Sequence, residues 1–278
     1  MTSVQSAISR FRRDLTIGAA VRGSLIFGAI FCLLGGPAGV FSTSALHGTV
    51  VLIAICFTWF VLGYRSIQSS RIAADSPLLI ATGQLDEAEK RIDAALKGFS
   101  LFKANKLLSL HHFAMLRHAQ RRWQESALLC GALLRQRMGA MGGLSRPASL
   151  LLADNLLHMG DLPGTYAALG RLYQQRLNLA EALTLQQLQL EYLSRVGAFD
   201  AMLAGLKSKV QLAELMPSSL SARTHAFLAL AALKTGRIKL SDWLRKRAAL
   251  LCEVQTLLTE RPALAELWPN PAEASGGR

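Results

Sequence analysis

Residues 23–64 read GSLIFGAIFCLLGGPAGVFSTSALHGTVVLIAICFTWFVLGY, which is 42 consecutive positions without Asp, Glu, Lys or Arg. A bilayer core about 30 Å thick requires about 20 apolar residues for each helix that crosses it, so this stretch is long enough for two spans. We expect the spans at Gly23–Phe41 and Ala45–Tyr64. Gly35–Pro37 and Ser42–Ser44 can end the first helix and reverse the chain. The sequence therefore predicts a two-helix transmembrane hairpin.

Basic residues flank the two predicted spans and are missing from the loop that joins them. They are Arg10, Arg12, Arg13 and Arg22 before the first span and Arg65 and Arg71 after the second. Because Lys and Arg are retained on the cytoplasmic side of a membrane, we expect both termini to face the cytoplasm. We therefore predict a two-span protein of the inner (cytoplasmic) membrane.

Two other interpretations of the apolar region stay open. Leu25–Leu34 could be the apolar core of a signal peptide that is cleaved near Ser42–Ser44. The two helices could also be buried in a soluble protein, although 42 uncharged residues are more than a core helix requires. Even after cleavage, Arg65 would favour a cytoplasmic domain behind it.

Residues 1–22 form a basic N-terminal segment with helical periodicity. Apolar residues recur at intervals of four, three and four positions, at Val4, Ile8, Phe11 and Leu15. This pattern predicts an amphipathic helix on the inner membrane surface. The net charge of +13 favours anionic membrane lipids as partners, since each basic residue near the surface contributes about 1 kcal/mol.

The same charge does not indicate a nucleic-acid-binding protein. The basic residues are scattered without a run of five, and aromatic residues make up only 7% of the chain. The four cysteines, Cys32, Cys56, Cys130 and Cys252, show no CxxC or metal-ligand spacing, and we expect free thiols.

A repeated pattern follows residue 65, where charged residues return. Each copy has a turn residue, a bulky apolar residue two positions later and usually a small residue five positions later. The turn residues lie 37 to 39 positions apart and are Gly83, Arg121, Gly160, Gly197 and Gly236. Seven positions before them stand Ser76, Ala114, Ala153, Leu190 and Ala229. Glycine can end a helix with a positive φ and small residues let two helices approach closely, so the pattern predicts helical hairpins.

We expect the repeats to fill residues 65–262 and a flexible tail to fill residues 263–278, which end in a segment rich in Pro, Gly and Ser. The first helices of the pairs are predicted near 105–119, 147–159, 180–196 and 219–235. The second helices are predicted near 84–97, 123–137, 162–177, 199–214 and 240–259.

The unit Leu78–Ala95, with Gly83, Leu85 and Ala88, resembles the tetratricopeptide-repeat (TPR) family. The chain departs from that family at Arg121, where Gly is usual, and in its longer spacing, since TPR units have about 34 residues. The resemblance implies an all-α fold, with a TPR-like α-solenoid of about five helix-turn-helix units after the transmembrane hairpin.

In the family, the first helices form a concave groove that binds an extended peptide or a partner helix. Matching those positions one by one gives the groove-lining residues His111, Met115, His118, Asp154, Gln187, Glu191 and Arg223. The resemblance thus implies a protein partner. For any single one of these residues, an ordinary solvated side chain is an open alternative.

We expect neither catalysis nor a cofactor. GxSxG, Walker-type and HExxH motifs do not occur, and Gly139–Gly143 lacks the Lys-Ser/Thr that would follow in a phosphate-binding loop. His111 and His118 share a helix face but have no third ligand at a zinc-site spacing. The sequence is therefore interpreted as a membrane-anchored scaffold or adaptor. The alternatives are a permanent structural subunit of a larger membrane complex and, less favoured, a basic nucleic-acid-binding protein.

Overall fold

The computed structural model describes residues 3–33, 45–136 and 139–269, which are helical without a strand among them. The helices are α1 (Val4–Leu33), α2 (Ala45–Ile72), α3 (Ser76–Ala81), α4 (Leu85–Lys97), α5 (Lys103–Ala119), α6 (Trp123–Leu134), α7 (Ser145–Met159), α8 (Leu162–Tyr173), α9 (Leu179–Arg195), α10 (Phe199–Leu203), α11 (Leu206–Ala213), α12 (Ser218–Lys234), α13 (Ile238–Leu251) and α14 (Val254–Glu260). Short 3-10 helices occupy Gly139–Leu144 and Pro262–Leu267. The all-α prediction is confirmed. The predicted hairpin loop at Gly35–Pro37 and Ser42–Ser44 lies outside the described residues.

The chain divides into two compact units, a first unit at Met1–Leu151 and a second unit at Leu152–Arg278. In the first unit, α1 and α2 pack against each other and against helices α4, α5 and α6. In the second unit, α12 packs against α9, α10, α11 and α13 and against the 3-10 helix Pro262–Leu267.

The five predicted turn residues have the same backbone conformation. Their φ angles lie between 60° and 78°, and Arg121 is the one described residue other than glycine with a positive φ. At each turn, the following amide donates to a carbonyl five residues earlier, as from Gln84 to Leu79 at 2.9 Å and from Arg237 to Ala232 at 2.8 Å. This hydrogen bond is typical of a helix that is terminated by a following residue in the left-handed conformation. The helix pairs α3–α4, α5–α6, α7–α8, α9–α10 and α12–α13 therefore share one turn.

The positions seven before and five after each turn residue are buried in all five pairs. They are Ser76, Ala88, Ala114, Ser126, Ala153, Thr165, Leu190, Met202, Ala229 and Ser241. In two pairs the facing positions also share a hydrogen bond. Ser126 Oγ donates to Ala114 O at 2.8 Å, and Ser241 Oγ donates to Ala229 O at 2.9 Å. Because the residues at these positions in the two pairs are small, the helices approach closely enough for a serine hydroxyl on the second helix to bond a backbone carbonyl of the first.

Two predicted second helices are interrupted. Residues 199–214 form α10 and α11 because Gly205 takes a left-handed conformation, with φ 66°. Residues 240–259 are divided at Cys252, which is extended with φ −152° and ψ 150°.

The described part of the predicted tail is packed, so the flexible-tail prediction is wrong for residues 263–268. Leu264, Leu267 and Trp268 are buried in the apolar core around α12. The sequence composition that suggested disorder begins only at Pro269, and residues 270–278 lie outside the described residues.

Candidate membrane anchor and binding face

Two helices are long and apolar enough to cross a membrane, over Val4–Phe31 and Val50–Gln68. Only 6% and 11%, respectively, of the most apolar stretch of each helix is buried within the protein. Large apolar side chains are exposed along both, including Phe27 and Ile30 on α1 and Phe57 on α2. A core helix of a soluble protein would have these side chains covered. Length, composition and exposure therefore agree with lipid contact, although a signal sequence near the N-terminus has the same length and composition.

One face of the N-terminal half of α1 is covered by protein, while Arg12 and Arg13 on this half are exposed. Val4, Ala7 and Phe11 are buried where α1 packs on α5 and α6. Of the apolar residues predicted to face the membrane surface, Val4 and Phe11 are therefore covered by protein, while Ile8 and Leu15 are partly exposed. Moreover, α1 continues without interruption across the predicted boundary between residues 22 and 23.

A buried ion pair fixes α1 to α5. Lys106 Nζ lies 2.9 Å from Asp14 Oδ2 and also donates to Leu96 O at 2.7 Å and to Gly98 O at 2.6 Å. The Lys106 side chain is only 2% exposed. A single ammonium group thus joins α1, α5 and the carboxyl end of α4, where unpaired carbonyl groups attract a cation.

The end of α2 is fixed by Ser66, which is fully buried. Its Oγ lies 2.7 Å from Ser100 Oγ, and its carbonyl accepts from Asn105 Nδ2 at 3.0 Å. Seven residues later, just past the end of α2, Ala73 O lies 3.1 Å from His112 Nδ1. The carboxyl half of α2 is consequently part of the first unit, like the amino half of α1.

The first-unit residues of the predicted groove, His111, Met115 and His118, lie on α5. His111 is buried, and burial beside His112 lowers the pKa of its imidazole from 6.5 to about 4. Its Nδ1 has no hydrogen-bond partner among the described residues. Met115 and His118 are partly exposed, and the His118 ring meets the Trp123 ring edge-on at 4.9 Å. The structure thus places His111 in the interior and the other two at the surface of α5.

The second-unit residues of the predicted groove are joined through Glu260 and Arg261. Arg261 Nε lies 2.7 Å from Glu191 Oε2, and Arg261 Nη2 lies 3.5 Å from Asp154 Oδ1. The amide oxygen of Gln187, when turned towards Arg223, accepts from its Nη1 at 2.7 Å and its Nε at 3.1 Å. Arg223 in turn pairs with Glu260. Side chains from α7, α9 and α12 therefore converge on the carboxyl end of α14.

The centre of this network is almost completely removed from water. The side chains of Glu191 and Arg261 are 2% and 9% exposed. Arg195 Nη2 also binds Glu191, at 2.8 Å from Oε1, and Arg261 Nη1 lies 3.1 Å from His158 Nε2. Charges at this depth require partners, because an ion without one loses its hydration and gains nothing. The arrangement is therefore a site that holds a guanidinium group.

Two of the pairs in this network can be recognised from their spacing in the sequence, whereas the contacts of Arg261 cannot. His158 follows Asp154, and Arg195 follows Glu191, by four residues, which places each pair on one helix face. Arg261 is 70 residues from Glu191 and lies beyond the last predicted helix, at 240–259, where no periodic pattern would place it near the predicted groove.

Within the described ranges, no three His, Cys, Asp or Glu side chains are grouped so that they could hold a metal ion. Neither a protein-family model, nor a curated protein, nor a solved structure matches this chain.

Proposed function

We propose that the chain is a two-span protein of the cytoplasmic membrane that acts as a helical-repeat scaffold or adaptor for a protein partner. The observation that carries the proposal is the change of environment along α1 and α2. Phe11 is 2% exposed in the first unit, whereas Phe27 on the same helix is 71% exposed. A helix that is buried in protein at one end and apolar but uncovered at the other suits a domain seated against a bilayer.

Charge supports a cytoplasmic orientation. Arg12, Arg13 and Arg65 are exposed on the parts of α1 and α2 that precede and follow the apolar stretch. Positive residues at this place favour retention in the cytoplasm and attraction to anionic lipid headgroups. Both termini would then lie on the cytoplasmic side.

Five helix pairs with one turn geometry support a repeat domain, for which a TPR-like solenoid is the proposed arrangement. Its first helices carry the proposed groove, and the convergence of Asp154, Glu191 and Gln187 gives the second unit a polar anchor point. Anchoring would confine this face to a thin layer beside the membrane and raise its effective concentration towards other membrane components.

Photo-cross-linking in intact cells tests the binding face. A cross-linker at Met115 on the first helix α5 should capture one defined protein, while a cross-linker at Leu128 on the second helix α6 should not. Leu128 is the matched control because it is 52% exposed in the same unit. Equal capture from both positions would contradict binding through the first helices.

Membrane topology is tested separately with reporters fused at either terminus. Activity of a cytoplasm-dependent reporter at both ends is the expected result. Activity of a periplasm-dependent reporter at the carboxyl end would overturn the orientation, and extraction of the full chain by carbonate would overturn the spans.

A permanent structural subunit is the second candidate, because the exposed sides of α1 and α2 could pack against other spans. Ile26, Phe27 and Ile53 would be among the side chains covered in such a complex. After solubilisation in mild detergent, a permanent subunit should migrate with a fixed neighbour in constant ratio, whereas an adaptor should be mostly free.

A further inference from the structure

After α13, the chain packs on the proposed binding face, and a short extended link connects this packed segment to α13. We define it as the C-terminal segment, residues 253–269. Its link to α13 is Cys252 and Glu253, which are both extended, with ψ angles of 150° and 129°. It then forms α14 and the 3-10 helix Pro262–Leu267, which lies against α12. The first helix of the last pair is therefore covered by the chain itself.

The C-terminal segment contacts this face through one charged side chain, with buried apolar side chains before and after it in the sequence. Arg261 supplies the charge, and its three nitrogen atoms each face a different residue: Nε faces Glu191, Nη1 faces His158 and Nη2 faces Asp154. The apolar anchors lie four residues before it and three and six residues after it, at Leu257, Leu264 and Leu267, and all are buried.

We propose that this face is a receptor for an arginine-bearing segment of the partner protein, and that the C-terminal segment occupies it until the partner displaces it. The proposal rests on the partner-binding function above and names the chemistry of the partner. The partner segment would carry an arginine at the end of a short helix, with apolar residues at the spacing of Leu257, Leu264 and Leu267.

The buried carboxylate of Glu191 requires an occupant that is cationic. If the C-terminal segment left without a replacement, Glu191 would keep Arg195 but lose its second guanidinium partner. Leaving a carboxylate at this depth with fewer partners is unfavourable, so an apolar or acidic segment could not compensate for the loss of Arg261.

Geometry further favours arginine over lysine. An ammonium group is a single point of charge, whereas the planar guanidinium group presents several donors in fixed directions. Only the latter can face Glu191, His158 and Asp154 at the same time. The site therefore selects for the shape of the cation as well as its sign.

The test uses the full chain in detergent with a protease recognition sequence inserted between Cys252 and Glu253. Circular dichroism before cleavage checks that the chain is folded. After cleavage, a fluorescent peptide of residues 253–269 is added in excess. We expect it to replace the cleaved segment. The uncleaved chain should bind it at least about tenfold more weakly, because its own segment competes at a high effective concentration.

The matched control is a peptide with citrulline, the neutral isostere of arginine, at position 261. It should bind the cleaved chain at least about tenfold more weakly than the arginine peptide. The substitution Glu191→Gln in the cleaved chain should remove most of this difference. As a second route that requires no insertion, the full chain with Arg261→Gln should bind the arginine peptide more tightly than the unsubstituted chain does.

Three results would overturn the proposal. The cleaved segment could fail to exchange, which would make it a permanent part of the fold. The citrulline peptide could bind as tightly as the arginine peptide. The chain could instead exchange segments with a second copy and appear as a dimer in light scattering. None of these results would affect cross-linking from Met115, which tests the adaptor function in the other unit.

Discussion

Arg121 takes a backbone conformation that glycine takes at the other four turns, with φ 60°. A side chain in the left-handed region costs about 1 kcal/mol because its Cβ crowds the neighbouring carbonyl group. The Arg121 side chain is exposed, so little contact would be lost by removing it. The conformation is therefore imposed by the packing of α5 on α6 and not by the residue.

We predict that Arg121→Gly raises the free energy of unfolding by about 1 kcal/mol, because glycine takes this conformation without strain. The matched substitution Gly236→Ala, at a turn with φ 75°, should lower it by about the same amount. Thermal unfolding followed by circular dichroism measures both. A lower melting temperature for Arg121→Gly would mean that the arginine contributes a contact that offsets its strain.

Lys106 holds three elements with one buried charge, and its removal should be costly. We predict that Lys106→Met lowers the free energy of unfolding by about 3–5 kcal/mol, since Asp14 would be left near the interior without its partner. Lys97→Met is the control, because Lys97 also pairs with a carboxylate but is 57% exposed, and it should cost below about 1 kcal/mol. Similar costs in a urea titration would show that burial of Lys106 contributes little.

His111 should make the protein less stable in mild acid. Its pKa is about 4 in the folded chain, against 6.5 when unfolded, so between these values the unfolded state binds more protons. Its contribution is complete above pH 6.5 and is lost as the pH falls towards 4, by up to about 3 kcal/mol. Burial also lowers the pKa of His112, which adds to the same trend.

The measurement is the urea midpoint at pH 7 and at pH 4.5, for the unsubstituted chain and for His111→Leu. The midpoint should fall less with pH in the variant, because leucine takes up no proton. An identical fall in both chains would place the acid sensitivity elsewhere.

At the scale of elements, α1 combines two environments in one uninterrupted helix. Its first half packs in the first unit and its second half exposes apolar side chains. We predict that Phe11→Ala lowers the free energy of unfolding by about 3–5 kcal/mol, as for a buried aromatic side chain, while Phe27→Ala changes it little. If both variants were equally stable in detergent and Phe11→Ala weakened only vesicle binding, the amino half of α1 would lie on the membrane instead.

The turns could be predicted from the sequence because a left-handed residue is a local requirement, and glycine satisfies it at Gly83, Gly160, Gly197 and Gly236. The break at Gly205 could not, since an isolated glycine within a helical pattern is often tolerated. The predicted boundary after residue 22 rests on the distribution of charged residues, which carries no information on the pairing of Asp14 with Lys106.

The polar network around Arg261 could be predicted only in part, for the same reason. Asp154, Gln187, Glu191 and Arg223 follow from the repeat, because each lies on a first helix. Arg261 does not, since the contact it makes depends on how the chain returns after the last pair.

At the scale of the whole molecule, each compact unit has its own buried residues. We predict that they open separately. Phe11→Ala should accelerate amide hydrogen exchange in α5 and α6 and leave exchange in α12 and α13 unchanged, because its contacts lie in the first unit. Equal acceleration in all four helices would mean that the chain unfolds as one cooperative body.

Ser66 and Lys106 have a mechanical consequence for a membrane-seated protein. They fix the amino half of α1 and the carboxyl half of α2 inside the first unit, and both helices then run on into their apolar halves with no flexible linker. If the apolar halves of α1 and α2 cross a bilayer, as we propose, a tilt of these two helices would therefore rotate the first unit with them. A change in bilayer thickness would change this tilt, and the height and orientation of α5 relative to the lipid surface would then change as well.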